Sequence, residues 1–494
     1  MDDEQTFSMV HSKKKADGGF QRRKWQNRTS RRDLFAARDD RRLAGMGTLQ
    51  PLSKAAKNRD RDRSRLERRW QRRWAGRQRP RHEHVERQAS VDVRATWKIL
   101  DEVEFHNLAK LSVEVAAPKD LLTCGEMGYY DKAYDKVSTK SPKQVFPTER
   151  VSHAVTTTED PNIRALSEDA NVFATDAILA AIMCCQRSVY SWDIVVNVFD
   201  TPNGKKIFFD KRDDSDFDFV TVDETSSAKS TGDEPPSDYP AQLAQEATYL
   251  NKTFSQMVLK KSDGAYKGAS FKEQHPFAEE GEAQASVGYR YRKWEVSAAS
   301  LNSPGITLVA RTEHDAAFKT KEGRTGFMNI KALNEYKRDA KMSWRQKLDT
   351  QRGAVLATEL KNNACKLARW TVGAMLAGSM QLRLGYLSRT DPKNPRSHVM
   401  LGSQGFKPRD LATQISLNLK NGWGILKHIV TIIQKKPQGK YLLLKNPNKP
   451  NLRLYSVPQD SFESDSDDSD SEDGEDDGGR LTTLGGGAAE AGNQ

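Results

Sequence analysis

Two short patterns place acids and a lysine at spacings that suit metal-assisted hydrolysis. Glu313-His314-Asp315 and Glu359-Leu360-Lys361 are E-x-D and E-x-K triplets. They close the segments GITLVARTEHD (305–315) and GAVLATELK (353–361), both of which read as strands. Residues two apart share one face of a strand. Glu313, Asp315 and Glu359 can therefore hold Mg²⁺ while Lys361 orients water, the chemistry of a metal-dependent nuclease. A salt-bridged strand pair satisfies the same two triplets.

A second pattern, YRYRKW at 289–294, suits nucleic acid. On a strand, Tyr289 and Tyr291 project to one face and Arg290, Arg292 and Trp294 to the other. Two guanidiniums beside an indole can track phosphate and stack on bases. An edge strand with tyrosines in the core and arginines in water is the plain alternative. The third pattern is acidic: six carboxylates and no base lie between Asp213 and Glu224, followed by Ser/Thr/Gly/Pro-rich sequence. In a basic protein such a loop can lie over a cationic groove and mimic phosphate, or it can be an inert surface loop. No Walker A loop, G-x-G-x-x-G, G-x-S-x-G or H-E-x-x-H is present, which lowers the weight of most enzyme classes.

The segments around these residues alternate between strand and helix patterns without a βαβ rhythm. VDVRATWKIL (91–100) and ASVGYRYRKWEV (285–296) alternate as strands do. TDAILAAIMCCQR (175–187) reads as a buried helix with Thr175 as N-cap and Asp176 in its first turn, where a carboxylate suits the helix dipole. SVYSWDIVVNVF and KKIFFD bracket a turn at 201–204 and read as a hairpin. ACKLARWTVGAMLAG (364–378) and GWGILKHIVTIIQKK (422–436) carry apolar stripes at helical spacing, and KYLLLK and NLRLYSV form a last hairpin. The fold class expected is α+β, one large domain of mixed sheet and helix over 91–458.

Composition sets the ends apart. Of 494 residues, 36% are hydrophobic and 30% charged, with a formal net charge of +12; an average globular chain has about 25% charged residues. Residues 1–90 hold 26 Lys/Arg against 12 Asp/Glu, and 460–477 hold 11 acids and no base. Both ends are expected to be solvated and disordered. The arm 1–90, extended or helical, suits RNA, an acidic protein surface, or water. The tail 459–494 sets Ser464, Ser466, Ser469 and Ser471 among acids, which suits an acidophilic kinase or a solubilising role. No segment approaches a membrane span or a secretory signal. The four cysteines, Cys124, Cys184, Cys185 and Cys365, are expected to be reduced and mostly buried.

Several long blocks carry a family resemblance: NVFATDAILAAIMCCQRSVYSWDIVV, IFFDKRDDSDFDF, EATYLNKTFSQ, YRYRKWEV, WRQKLDTQRGAVLATELKNNACKLARWT, KYLLLKNPNKP and the acidic tail. From about residue 33 onward the chain resembles the D-subunit family of eukaryotic translation initiation factor 3. The resemblance implies a cytoplasmic, non-catalytic subunit without a cofactor. It would bind the 5′ 7-methylguanosine cap of selected mRNAs and support their recruitment to the 40S ribosomal subunit, within the 43S preinitiation complex. Its partners would be capped mRNA and the other factor 3 subunits, the E component above all, with no membrane. The domain 91–458 would resemble decapping nucleases in fold.

The resemblance assigns the cap-proximal helix positions to Asp176, Val189 and Tyr190, and a second helical set to Thr248, Asn251 and Lys252. A carboxylate there can accept from the guanine edge, an aromatic ring can stack on the cationic base, and Lys252 can meet the triphosphate. An insertion that must move before RNA enters, the RNA gate, falls on 216–236. It includes Asp216, Phe217, Asp218, Asp223, Glu224, Pro235 and Pro236. Family members usually begin further upstream, with a Gly-Trp-Gly-Pro segment that helps hold them to the E component. The expectation here is a shortened gene model or anchoring through the arginine-rich arm. A Mg²⁺-dependent RNA 5′-end nuclease of the decapping type, using Glu313, Asp315, Glu359 and Lys361, and a scaffold subunit without cap recognition both stay open beside the cap reader.

Overall fold

WDIVVNVF and KKIFFD pair as an antiparallel hairpin, and alternate side chains leave it on opposite faces. Ile194, Val196 and Val198 enter one core, while Val195 between them enters another. The turn is tight because Gly204 adopts φ +108°, a conformation open to glycine. The computed structural model describes residues 87–462 apart from 214, 225–238, 263–264, 267, 280, 299–303 and 336–342. The expectations for the arm up to residue 86, for Pro235 and Pro236, and for Ser464, Ser466, Ser469 and Ser471 lie outside the described residues.

The described strands are β1 (Lys98–Glu104), β2 (Lys119–Gly128), β3 (Lys143–Gln144), β4 (Val172–Thr175), β5 (Trp192–Thr201), β6 (Gly204–Asp210), β7 (Lys261–Ser262), β8 (Ala265–Tyr266), β9 (Gly268–Ser270), β10 (Val287–Ser297), β11 (Ile306–His314), β12 (Ala316–Lys319), β13 (Thr325–Asn334), β14 (Gln381–Arg389), β15 (His398–Phe406), β16 (Gly439–Lys445) and β17 (Asn451–Val457). Ten form one sheet in the order β1-β17-β16-β5-β6-β4-β11-β10-β2-β9, and five form a second, β12-β13-β14-β15-β3. Most neighbours are antiparallel; β4 runs parallel to both β6 and β11, and β13 parallel to β14. The chain passes from the first sheet to the second at Asp315, between β11 and β12.

The helices are α1 (Phe105–Leu108), α2 (Pro161–Ala165), α3 (Asp176–Met183), α4 (Pro240–Met257), α5 (Trp344–Lys347), α6 (Arg352–Asn362), α7 (Ala364–Ala377), α8 (Pro408–Gln414) and α9 (Leu419–Gln434). The main core joins α3 and α9 to the larger sheet, with Ile178, Ile182, Leu426 and Val430 packed over Ile194, Val196 and Leu308. Helix α7 serves both layers. Ala368, Val372 and Leu376 face this core, while Leu367 and Ala374 face the core of the smaller sheet. A helix buried on two sides shows no single apolar stripe. Its C-cap, Gly378, has φ +74°, and an added Cβ would meet the Arg292 guanidinium at 2.8 Å.

Two expectations need correction. The segment 353–361 is helix α6, since Val355, Leu356, Glu359 and Leu360 are spaced for one helical face, not for alternation. The strand expected at 91–100 begins only at Lys98. The hairpins, the Thr175-capped helix and the mixed α+β class agree with the sequence reading, and all four cysteines are buried. Among the described residues no helix is long and apolar enough to cross a membrane.

Candidate functional site

One cavity of about 560 Å³ opens where α3, α4, α7, the end of β11 and the middle of β13 converge. Thr175 caps α3 by accepting from the Ile178 N–H, which sets Asp176 at the cavity wall. Thr248, Asn251 and Lys252 lie at i, i+3 and i+4 on α4, so one helix face delivers all three. The opposite face of α4, with Leu250 and Phe254, packs on the smaller sheet. Val189 and Tyr190 line the wall from the turn before β5, not from a helix as expected. All six residues assigned to the cap thus border the same space.

The first part of the acidic segment borders it too. Asp216, Phe217, Asp218 and Glu224 are lining residues, and Asp223 accepts from the Tyr190 hydroxyl through its carbonyl at 3.3 Å. The segment is pinned rather than loose. Phe217 is buried beneath the Arg369 guanidinium, and Val220 donates to Thr248 Oγ1 at 2.8 Å. Asp218 pairs with Lys211 at 2.5 Å. The Glu224 carboxylate sits on the N-terminus of α7, accepting from the backbone N–H groups of Cys365 at 2.9 Å and Lys366 at 2.7 Å. The Lys366 ammonium donates to the Thr221 carbonyl at 2.6 Å. Carboxylates and carbonyls of this segment therefore occupy cationic and N–H donors of the cavity.

The floor is a compact charge network. Glu313 and Asp315 line it, facing Asn329 and Lys331 of β13. Lys331 Nζ lies 3.3 Å from Asp315 Oδ2, and Asn329 donates to the Glu313 carbonyl at 2.9 Å. Burial opposes the Lys331 charge, but Asp315 and Glu313 outweigh it and hold the ammonium above its ordinary range. Arg311, buried beside them, pairs with Asp160 at 2.7 Å.

The nuclease constellation does not assemble. Residues two apart on a helix lie about 200° apart, so α6 buries Glu359 and exposes Lys361. Glu359 accepts from Asn363 at 2.9 Å, and Lys361 lines a separate, smaller cavity with Arg187 and Ile415. The lysine that meets Asp315 is Lys331, which follows Asn329 by two residues and so lies outside any E-x-K pattern. Among the described residues no group of three or more His, Cys, Asp or Glu could hold a metal ion.

The RNA track also needs correction. Strand β10 lies between β11 and β2, not at an edge; Tyr289 and Tyr291 pack into one core and Trp294 into another. Trp294 is 3% exposed and packs on Trp423. Arg290 lies 4.9 Å from the Phe327 ring centroid, and Arg292 donates to Asp120 at 2.7 Å and to the Leu376 carbonyl at the end of α7. Tertiary packing has turned this basic face inward, so it offers no stacking surface.

Burial and the neighbouring Glu313 carboxylate push the Asp176 carboxyl up to about 7. The folded chain then keeps a proton that the unfolded chain releases near pH 4. This contribution to stability is full below that point and falls as pH rises from about 4 to about 7. Asp176→Asn preserves an acceptor for the Glu313 N–H, 3.1 Å away. It is expected to lose this part of the pH dependence, so urea unfolding at about pH 5 and about pH 8 should differ less than in the native chain. An undiminished difference would remove Asp176 as its source.

The family profile for eukaryotic translation initiation factor 3 subunit 7 (eIF-3), eIF-3 zeta, matches residues 1–456. The D-1 form of the corresponding factor 3 component from Drosophila ananassae is 52% identical over 387 residues, covering 77% of this chain and 67% of that one. The Drosophila mojavensis protein of the same name is also 52% identical, covering 77% and 66%. The chain thus spans about two thirds of the length of these curated relatives. Among solved structures, Schizosaccharomyces pombe Rai1 superposes with a TM-score of 0.40 at 10% identity, covering 72% of this chain and 99% of that one. Candida albicans Rai1, solved in complex with pU5-Mn²⁺, gives 0.41 at 11% identity, covering 74% and 95%. By the extent of the profile match and the identity to these relatives, the chain belongs to the eukaryotic translation initiation factor 3 subunit 7 family, eIF-3 zeta.

Proposed function

We propose that this chain is a non-catalytic reader of the mRNA 5′ cap within initiation factor 3. In this role it supports recruitment of selected capped mRNAs to the 40S subunit in the cytoplasm, alongside the E component and the other factor 3 subunits. One observation carries the reading: Asp176, Val189, Tyr190, Thr248, Asn251 and Lys252 come from three separate stretches of chain and border a single cavity. Their chemistry is complementary to a capped end. Asp176 can accept from the guanine edge, Tyr190 can stack on the cationic methylated base, and Lys252, exposed at the wall, can meet the triphosphate. The segment 216–224 against the same cavity fits a gate that RNA must displace, a population shift toward an open form.

Binding of the full-length chain to matched capped and uncapped RNA, with cap-analogue competition and a check of RNA integrity, tests this. Tighter capped binding, competed by the analogue with intact RNA, is expected. Equal binding that no analogue competes would favour a scaffold role, and Mg²⁺-dependent cleavage would favour the nuclease. Tyr190→Ala is expected to weaken cap-analogue binding about tenfold, since stacking on one aromatic ring contributes about 1–3 kcal/mol per base. Its folded state, checked by circular dichroism, should be unchanged. Undiminished binding would take Tyr190 out of the site.

A further inference from the structure

One face of the Tyr190 ring already carries a cation. The Arg87 guanidinium carbon lies 4.4 Å from the Tyr190 ring centroid. We propose that Arg87 is the resident occupant of the Tyr190 face, and that a planar cationic base must displace it to stack there. The inference rests on the reading that Tyr190 stacks a base.

The contact is built from several parts. Arg87 is fixed at its backbone by Asn448, whose side chain accepts from the Arg87 N–H at 2.8 Å and donates to the Arg87 carbonyl at 3.1 Å. That reciprocal clamp sets the point from which the guanidinium reaches the ring. The same guanidinium donates to the Glu224 carbonyl at 3.3 Å, and the Tyr190 hydroxyl donates to the Asp223 carbonyl. A guanidinium is flat, delocalised and permanently charged, and it is attracted to the ring face by the force that draws a methylated, positively charged base. Two flat cations do not share one face. Arg87 therefore imitates the ligand in both shape and charge.

Arg87 tethers the Glu224 carbonyl, so displacing it from the ring loosens one attachment of 216–224. Base binding and release of that segment then favour each other reciprocally.

The test uses the full chain with 7-methylguanosine triphosphate and GTP as probes, followed by calorimetry. Arg87→Ala is expected to bind the methylated probe about three- to tenfold more tightly than the native chain, with a smaller gain for GTP, whose base is uncharged. Asn448→Ala keeps the guanidinium and releases its backbone, so a gain in the same direction is expected. Both gains should vanish when combined with Tyr190→Ala. Unchanged or weaker binding by folded Arg87→Ala, against measurable native binding, overturns the proposal alone. Absence of binding by the native chain and every variant overturns the stacking reading, and this proposal with it.

Discussion

Asp160→Ala is expected to destabilise the chain by about 3–5 kcal/mol, the cost of leaving a buried charge without its partner. Asp160 is fully buried, and its Oδ2 lies 2.7 Å from the Arg311 guanidinium. Both of its oxygens accept from the Tyr291 hydroxyl at 3.0 Å. Its Oδ1 also caps α2, accepting from the N–H groups of Asn162 at 2.9 Å and Ile163 at 3.2 Å. One carboxylate thus satisfies a guanidinium, a phenol and a helix end. Removing it strands Arg311, with Glu313 at 3.8 Å as its remaining carboxylate. Tyr291→Phe, which deletes this hydroxyl donor and an acceptor for Asn162 Nδ2 3.3 Å away but leaves the ion pair, should cost only about 1 kcal/mol. Urea unfolding of the two variants measures both effects. A smaller loss in Asp160→Ala than in Tyr291→Phe would show that the pair contributes little. Arg311 lines the cavity floor, so the same substitution is expected to loosen the site.

Glu224→Ala is expected to raise affinity for RNA about tenfold at low salt, with the gain shrinking as salt rises. The structure singles out this acid within the acidic segment. Asp218 is paired with Lys211, and Asp213 and Asp216 are exposed. Glu224 is buried, and its carboxylate accepts the first N–H groups of α7. Burial raises its pKa, while the Cys365 and Lys366 N–H groups and the Lys366 and Arg369 charges oppose the rise. Its removal leaves an N-terminal helix end beside Lys366 and Arg369, a set of donors suited to phosphate. Anisotropy titrations with one uncapped RNA at two salt concentrations read the effect. Affinity equal to that of the native chain at low salt would show that Glu224 does not compete with phosphate.

Much of the local structure is legible along the chain. Thr175 followed by Asp176 and an apolar run marks a capped helix, and alternation in WDIVVNVF and KYLLLK marks strands, because these signals act within a few residues. The acidic segment is legible as a charge anomaly, and its first half does border the cavity. The GAVLATELK segment misleads because alternation and helical spacing overlap in a run this short, and packing on α7 and the smaller sheet selects the helix. Lys331, Arg311, Lys366 and Arg369 carry no local signal, as each is an ordinary basic residue until the chain closes around it.

Residue order is enough for the class of fold, the main hairpins and helices, the charge imbalance at the two ends, and the family to which the chain belongs. These depend on periodicity, capping, composition and long runs of residue identity. Only the closed fold brings Tyr190 under Arg87, ends Glu224 on α7, and lets Lys331 rather than Lys361 meet Asp315. It also turns Arg290, Arg292 and Trp294 inward. Each of these depends on which segments distant in sequence meet, and that is set by burial of apolar area over the whole domain.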